Sequence, residues 1–438
     1  MIGKVTLLRT VKFQVLLICV FFGFNILQAQ YVAIPDSGFN AWLSANYSTC
    51  MHNGKLDTTC SPVLTATYLN TSYQHISSLE GAQYFKSLDS LKCNSDSTLT
   101  YIPALAKSLQ VLECRNDSLT SLPALPDSLT RLACEFNVLA SLPTLPTSLR
   151  SLTCYSNKLT GLPSPLPAGL YSLFCSGNQL DSLPALPDSL IILSCYGNKI
   201  THLPVLDNSL IDLICSNNLL SSLPALPSYL RNLTCYSNNL AGLPSLPDSL
   251  QSLSCAHNRL TTISNFPNSL TLINCAYNKL TGLPSLPDSV FQLFLSHNPA
   301  LHCLPQLNTI VDFEFDSTSI VCLPNTGNIY LSNPDTLFLC DSTNNRYGCL
   351  QISAVKEIAK PSFTLYPNPT KNFFMLMVDQ TTIGGSMRII DNTGRQVCST
   401  GLQMLNTRIE TSSLANGLYL VLITNSQGRT SVSKLVLE

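Results

Sequence analysis

Apolar and polar residues alternate in a short pattern that recurs along the middle of the chain. In one copy, Leu253 and Cys255 lie on either side of Ser254, with Leu250 and Leu260 at the two ends. Alternation with a period of two is typical of a short strand that buries one face. Because the copies recur every 20 or 21 residues, the pattern predicts a stack of parallel strands with no room for long helices between them.

A cysteine holds the same inward position in ten successive copies of the pattern. These residues are Cys93, Cys114, Cys134, Cys154, Cys175, Cys195, Cys215, Cys235, Cys255 and Cys275. Leu295 and Phe315 continue the column, which gives about a dozen turns. Stacked side chains point the same way rather than toward each other, so we interpret the cysteines as small apolar core residues. Disulfides or a metal site within the column are the alternatives.

An asparagine follows three residues after each column position from Cys134 to Leu295, where the chain leaves the strand. These residues are Asn137, Asn157, Asn178, Asn198, Asn218, Asn238, Asn258, Asn278 and Asn298. A buried carboxamide offers donors and an acceptor to backbone groups that the turn leaves unpaired. Asp96, Asp117 and Thr318 hold this position near the ends, as expected of atypical terminal repeats.

Prolines recur on the other side of each copy, in the pattern Leu-Pro-x-Leu-Pro, as at Pro244 and Pro247. Proline restricts φ and lacks an N–H group, so these return segments are predicted to be extended. The copies read LxxLxLxxNxL, and residues 88–324 resemble the short leucine-rich repeats of secreted effectors from enteric pathogens. The resemblance implies an α/β-class, right-handed solenoid with a parallel sheet on its concave face and a proline-rich convex face. The ubiquitin-ligase activity of some such effectors does not carry over, because the segment that follows here is short and strand-rich.

The first 30 residues read as a signal peptide. Lys4, Arg9 and Lys12 precede an apolar run, and Leu27-Gln28-Ala29 forms a small-residue cleavage site. No later segment has the roughly 18 uninterrupted apolar residues of a membrane-spanning helix, so we expect an exported chain without one.

Residues 31–87 are predicted to form an N-terminal cap, with an amphipathic helix that contains Phe39, Trp42 and Leu43. Residues 325–360 are predicted to form a C-terminal cap and linker. An exported protein favours disulfides outside the repeats. The predicted pairs are Cys50 with Cys60, Cys340 with Cys349, and Cys303 with Cys322.

Residues 361–438 contain β-rich runs that alternate with turn residues, which predicts a small β-sandwich. This segment resembles the C-terminal sorting domain of the type IX secretion system of Bacteroidetes. Four motifs carry the resemblance: Leu365-Tyr366-Pro367-Asn368-Pro369-Thr370, Asp391-Asn392-Thr393-Gly394-Arg395, Gly417-Leu418-Tyr419-Leu420-Val421 and Lys434-Leu435-Val436. The resemblance implies contact with the secretion machinery, passage through the outer membrane, removal of the domain, and release or attachment at the cell surface.

The net charge and the lack of catalytic motifs exclude several classes of function. A formal net charge of −1 provides no basic surface for nucleic acid. The His residues lack metal-ligand spacing, and no nucleophile elbow or phosphate-binding loop is present. We therefore expect a non-enzymatic protein with no cofactor and no metal.

The expected function is binding of a protein or peptide, or adhesion, through the concave face. The alternatives are a carbohydrate-binding surface protein and a structural surface-layer component. Tyrosines recur on every second strand just after the column cysteine, and large rings with a hydroxyl suit binding surfaces. The predicted partner-binding residues are Tyr155, Tyr196, Tyr236, Phe174, Tyr171 and Arg231.

Overall fold

The computed structural model describes residues 30–95, 97–307, 310–325, 329–331, 338–340, 349, 363–391, 394–425 and 430–438. The predicted signal peptide lies outside the described residues, as do Asp96 and most of the predicted linker. The chain divides into two compact units between Leu129 and Thr130. Within the described residues, no helix has the length and apolar character needed to cross a membrane.

The elements are short, and most strands recur at the repeat period. Up to Leu129 they are β1 (Tyr31–Ala33), α1 (Ser37–Asn46), β2 (Met51–His52), β3 (Lys55–Asp57), α2 (Ser61–Thr65), β4 (Tyr68–Asn70), β5 (Ser90–Lys92) and β6 (Val111–Glu113). From Thr130 the repeat strands are β7 (Arg131–Ala133), β8 (Ser151–Thr153), β9 (Ser172–Phe174), β10 (Ile192–Ser194), β11 (Asp212–Ile214), β12 (Asn232–Thr234), β13 (Ser252–Ser254), β14 (Leu272–Asn274), β15 (Gln292–Phe294), β16 (Ile310–Glu314), β17 (Cys322–Leu323), β18 (Ile329–Leu331) and β19 (Phe338–Leu339). The C-terminal strands are β20 (Phe363–Tyr366), β21 (Phe373–Val378), β22 (Ser386–Ile390), β23 (Gln396–Gly401), β24 (Asn406–Glu410), β25 (Gly417–Thr424) and β26 (Thr430–Leu437).

The first unit begins with the predicted amphipathic helix, now seen as α1. Asp36 caps its N terminus by accepting a hydrogen bond from the Phe39 amide at 2.7 Å, which satisfies one of the open N–H groups of the first turn. Phe39 and Leu43 are fully buried, whereas Trp42 is half-buried. After a small antiparallel sheet of β1, β3 and β2, strands β4, β5 and β6 pair in parallel.

In the second unit, strands β7 to β16 pair in parallel and in register, and β18 pairs with β16 after a register shift between Ile310 and Phe313. Leu213 lies opposite Leu193 on one neighbouring strand and Leu233 on the other. The column cysteines from Cys154 to Cys275 are buried free thiols. Their interpretation as small apolar core residues is therefore confirmed.

The asparagine column forms the predicted hydrogen-bond ladder. The side-chain amide of Asn218 donates to the carbonyls of Cys195 at 3.0 Å and Cys215 at 3.1 Å, and its oxygen accepts from the Ile200 amide at 3.0 Å. From Asn157 to Asn298 each asparagine thus bonds its own turn and the preceding turn. Near the end, Thr318 instead donates to the Phe315 carbonyl of its own turn at 2.7 Å.

A second polar ladder runs along the return side. The hydroxyl of Ser189 donates to the carbonyls of Ala168 and Leu170 of the preceding turn, both at 2.8 Å, and Ser249 bonds Ser228 and Leu230 in the same way. Between β7 and β15 the described return segments contain no helix. The prediction of extended return segments is confirmed.

Two of the three predicted disulfide pairings are wrong. Cys50 bonds Cys60 as predicted, with a Cα–Cα distance of 5.5 Å. The remaining bonds join Cys303 to Cys349, and Cys322 to Cys340, with Cα–Cα distances of 5.1 and 4.8 Å. Strand β17 pairs in parallel with β19, with Cys322 opposite Phe338 and Leu323 opposite Leu339, and this brings Cys340, directly after β19, within reach of Cys322.

The C-terminal domain is the predicted β-sandwich. One sheet contains β20, β21 and β24, and the other contains β23, β22, β25 and β26. Phe374 and Leu376 of the first sheet pack against Ile389 and Val421 of the second. The outer face of the second sheet packs on Phe291 of the repeats. That ring is therefore only 1% exposed.

Candidate functional site

The residue before each asparagine has a left-handed backbone. From Phe136 to Ser317 its φ lies between 50° at Asn217 and 67° at Gly197. Here the chain must leave the strand and donate its amide to the next turn, as Ser237 does to the Ala256 carbonyl at 2.9 Å. A left-handed backbone costs a residue with a Cβ roughly 1 to 2 kcal/mol, so glycine, serine and asparagine are favoured at this position.

Four turns of the second unit place a bulky ring at this left-handed position. The residues are Phe136, His257, Tyr277 and His297. Histidine is found in this conformation more often than most residues, but bulky aromatic side chains such as those of Phe136 and Tyr277 are outliers there, and such strain concentrates at functional sites. Glycine would avoid this backbone penalty in all four turns. We therefore expect the rings to have a function that offsets it.

The three predicted tyrosines do not form a single cluster. The rings of Tyr196 and Tyr236 lean together, with centroids 6.2 Å apart, although their strands lie about 10 Å apart. They meet above Ser216, which is fully buried. Burial raises the pKa of the Tyr236 phenol, and the nearby Tyr196 phenol raises it further. The Tyr155 ring instead contacts Phe136 edge to face, with centroids 5.0 Å apart.

The other predicted residues lie elsewhere on the same sheet. Phe174 is half-buried on β9. Tyr171 is 46% exposed and Arg231 is exposed, each one residue before its strand begins. The tyrosine position comes five residues later in each turn, which is roughly 16 Å along an extended chain. Tyr171 and Arg231 therefore lie at the opposite edge of the sheet from the tyrosines.

The most regular aromatic feature lies further along the chain, and sequence reasoning missed it. The rings of His257, Tyr277 and His297 stack in a column that we call the ring ladder. Their centroids are 4.0 Å apart at both steps, with interplanar angles of 12° and 11°. The signal in the sequence is an aromatic or imidazole ring directly before three successive asparagines, 20 residues apart.

The ring ladder forms one wall of a groove of about 500 Å³, which we call the ladder groove. Small residues, Ala256, Ala276 and Ser296, line it where earlier turns carry tyrosines. Tyr236 lies at one end, and Glu314 and Asp316 lie at the other. The hydroxyl of Ser296 is buried without a hydrogen-bond partner, although it lines this groove. Among the described residues, no three His, Cys, Asp or Glu side chains come together to hold a metal.

The comparisons with known proteins find similarity in both parts of the chain. Residues 364–438 match the family described as the secretion system C-terminal sorting domain. YopM from Yersinia enterocolitica has a similar structure, at 33% sequence identity and a TM-score of 0.50, over 56% of this chain and 59% of YopM. The functional domain of InlJ from Listeria monocytogenes, described as including a cysteine ladder, aligns over 94% of this chain and all of that domain, with 19% identity and a TM-score of 0.51. No curated protein sequence matches this chain.

Proposed function

This chain is a leucine-rich-repeat protein with a secretion-system sorting domain at its C terminus, and from that premise we propose that it binds a protein or peptide partner outside the cell. The observation that carries the proposal is the concentration of aromatic rings on one face of the parallel sheet. Tyr196 and Tyr236 form one pair, and Phe136 and Tyr155 form another. Rigid rings of this kind provide large contact areas at low entropic cost.

The sorting domain supports export as the first part of this function. We propose that the type IX machinery moves the chain across the outer membrane and that the mature protein ends near residue 360. The mature protein is then released or attached at the surface. Intact-mass measurement of the protein recovered from the native host's surface tests this step. A surface-derived chain that still contains residues 361–438 would contradict removal of the domain.

Partner binding is tested with the full exported chain, applied in parallel to an array of purified extracellular proteins and to a glycan array. We expect hits on the protein array. The variant with Tyr155, Tyr196 and Tyr236 all changed to Ser should bind those hits at least tenfold more weakly, equivalent to about 1.4 kcal/mol. Its thermal midpoint should change little, because Tyr196 is 37% exposed and the other two rings are half-buried.

The matched control is Tyr229→Ser, since Tyr229 is 68% exposed and lies on the return side, between Pro227 and β12. It should leave binding unchanged. Undiminished binding by a folded triple variant would contradict a site at the tyrosines. Hits confined to the glycan array would favour the carbohydrate-binding alternative, and hits on neither array would favour a structural surface role.

A further inference from the structure

The ladder groove has a chemistry that the tyrosine pair lacks. We propose that it binds an extended peptide segment that carries a basic side chain, lysine or arginine. The proposal rests on the broader proposal of protein binding by the sheet face, but it concerns a different group of residues. Only Tyr236 belongs to both.

The stacking geometry determines which part of each ring a ligand can meet. The two contacts of the ring ladder take up both faces of Tyr277 and one face each of His257 and His297. Along the ring ladder a ligand therefore meets ring edges, ring nitrogens and the Tyr277 hydroxyl, and aromatic faces stay open only on the outer sides of His257 and His297 and on the neighbouring Tyr236 and Phe294. Sugars stack on aromatic faces, whereas the positive edge of a ring attracts carbonyl oxygens. The geometry consequently favours a peptide backbone over a glycan.

The buried hydroxyl of Ser296 provides an independent indication of a ligand. The residue is 7% exposed, and its oxygen has no hydrogen-bond partner. Buried polar groups are almost always hydrogen-bonded, so an unpaired one calls for a missing partner. Because Ser296 lines the ladder groove, a peptide amide or carbonyl in the groove would satisfy it.

Charge determines which side chain the groove accepts. Glu314 and Asp316 are both exposed, and neither has an ion-pair partner among the described residues. None of the described residues that line the groove is Lys or Arg. Two carboxylates at one end therefore favour an ammonium or guanidinium group, with which they form charge-assisted hydrogen bonds.

The size of the groove fits a short extended segment. It runs from the turn of Tyr236 to the turn of Asp316, four strand spacings of about 4.8 Å each, or roughly 19 Å. An extended chain covers that length in about six residues. The floor is open along this path because Ala256 and Ala276 replace the tyrosines found in earlier turns.

The experiment uses the full exported chain and a phage-displayed library of random nonapeptides as the probe. We expect the selected peptides to contain Lys or Arg. Two variants test the site: His257→Ser with Tyr277→Ser and His297→Ser removes the rings, and Glu314→Gln with Asp316→Asn removes the charge. Serine already occupies the left-handed position at Ser156, Ser237 and Ser317, so the ring variant should fold.

Both variants should bind the selected peptides at least tenfold more weakly, and added salt should weaken binding to the unmodified chain. The control is Tyr229→Ser on the return side, which should bind within twofold of the unmodified chain, and a second, tyrosine control (Tyr155→Ser with Tyr196→Ser) separates binding at the tyrosines from binding in the groove. Selected peptides without basic residues, or full binding by the folded ring variant, would overturn the proposal. Binding lost only in the tyrosine control would overturn it too, while supporting the broader proposal of protein binding at the tyrosines.

Discussion

The inward and outward columns of the solenoid follow opposite rules. Inside, the same residues recur turn after turn, as in Leu213, Cys215 and Asn218, because each must fill the same space and bond the same backbone groups. On the sheet face, the residue after the cysteine changes within one step from the exposed Tyr196 to Ser216, which is covered by its neighbours. Packing thus allows little variation on one face and places few limits on the other.

The left-handed position shares features with both the inward and the outward columns. Its backbone is the same in each turn from Phe136 to Ser317, but its side chain varies from glycine to tyrosine. Where a ring replaces glycine, stability argues against the choice, so a benefit other than folding accounts for it. The inward residues therefore serve the core, whereas the rings at the left-handed position serve the surface. Substitutions and pH changes should affect stability differently in the two groups.

Alkaline pH should destabilise the fold through the buried thiols of the inward column, and this is the largest effect that we expect. Burial raises the pKa of the Cys255 thiol to about 12 and that of Cys215 well above its ordinary value. An unfolded thiol ionises near about 8.5, so the stabilisation is complete below that pH and is lost as pH rises from there toward the folded value. Each thiol changes the free energy of unfolding by about 1.4 kcal/mol per pH unit, and several act together.

Thermal midpoints measured between about pH 7.5 and 10.5 test this expectation against a matched variant. In that variant Cys195, Cys215 and Cys235 are changed to Val, while the lysines and tyrosines are retained. The unmodified chain should lose stability more steeply above about pH 9 than the variant. Equal slopes would mean that the thiols do not stay protonated in the fold.

A single ladder asparagine should have the next largest effect. Asn218→Ala leaves the buried Ile200 amide without its partner and removes one of the donors to the Cys195, Cys215 and Ser216 carbonyls, so we expect a loss of about 1 to 3 kcal/mol in the free energy of unfolding. Denaturant titration measures it. Asn239→Ala, on a half-buried neighbour outside the ladder, should change stability by less than about 0.5 kcal/mol. A similar loss in both variants would remove the special role of the ladder.

Substitutions at the left-handed position should change the free energy of unfolding less, and glycine should be more stabilising than alanine there. Both Tyr277→Gly and Tyr277→Ala remove the ring, but φ is 52° at this residue. The glycine variant should therefore be more stable than the alanine variant by about 1 kcal/mol. On strand β14 in the same turn, Asn274→Ala should be more stable than Asn274→Gly. The same order at both positions would show that Tyr277 is not held in a strained backbone.

The repeating core could be predicted from the sequence because the same pattern recurs in every copy. Leu253, Cys255 and Asn258 each reappear at fixed spacing, so strand, core and ladder follow from one unit. The helix that contains Phe39 and the Cys50–Cys60 bond depend on local spacing and were also predicted correctly. The tyrosine site remains a prediction.

What escaped prediction depends on contacts that no repeat encodes. Strands β17 and β19 lie beyond the regular turns, and the pairing of these two strands, which brings Cys340 close to Cys322, is not visible in the sequence. The ring ladder was missed because its position is visible in the sequence but its backbone conformation is not. Three rings stack only because His257, Tyr277 and His297 share one left-handed geometry.

The side-chain bonds of the asparagine ladder run toward the preceding turn, which bears on the order in which the turns can form. Asn218 reaches back to Cys195 and Ile200, in the turn that precedes it along the chain. The asparagine amide of each turn can therefore find its carbonyl acceptors without waiting for residues that follow, although the backbone amides of the same turn bond to the next one. From Asn157 to Asn298 every rung points the same way. A chain that emerges with its N terminus first can thus build the solenoid one rung after another, each new turn closing on one already in place.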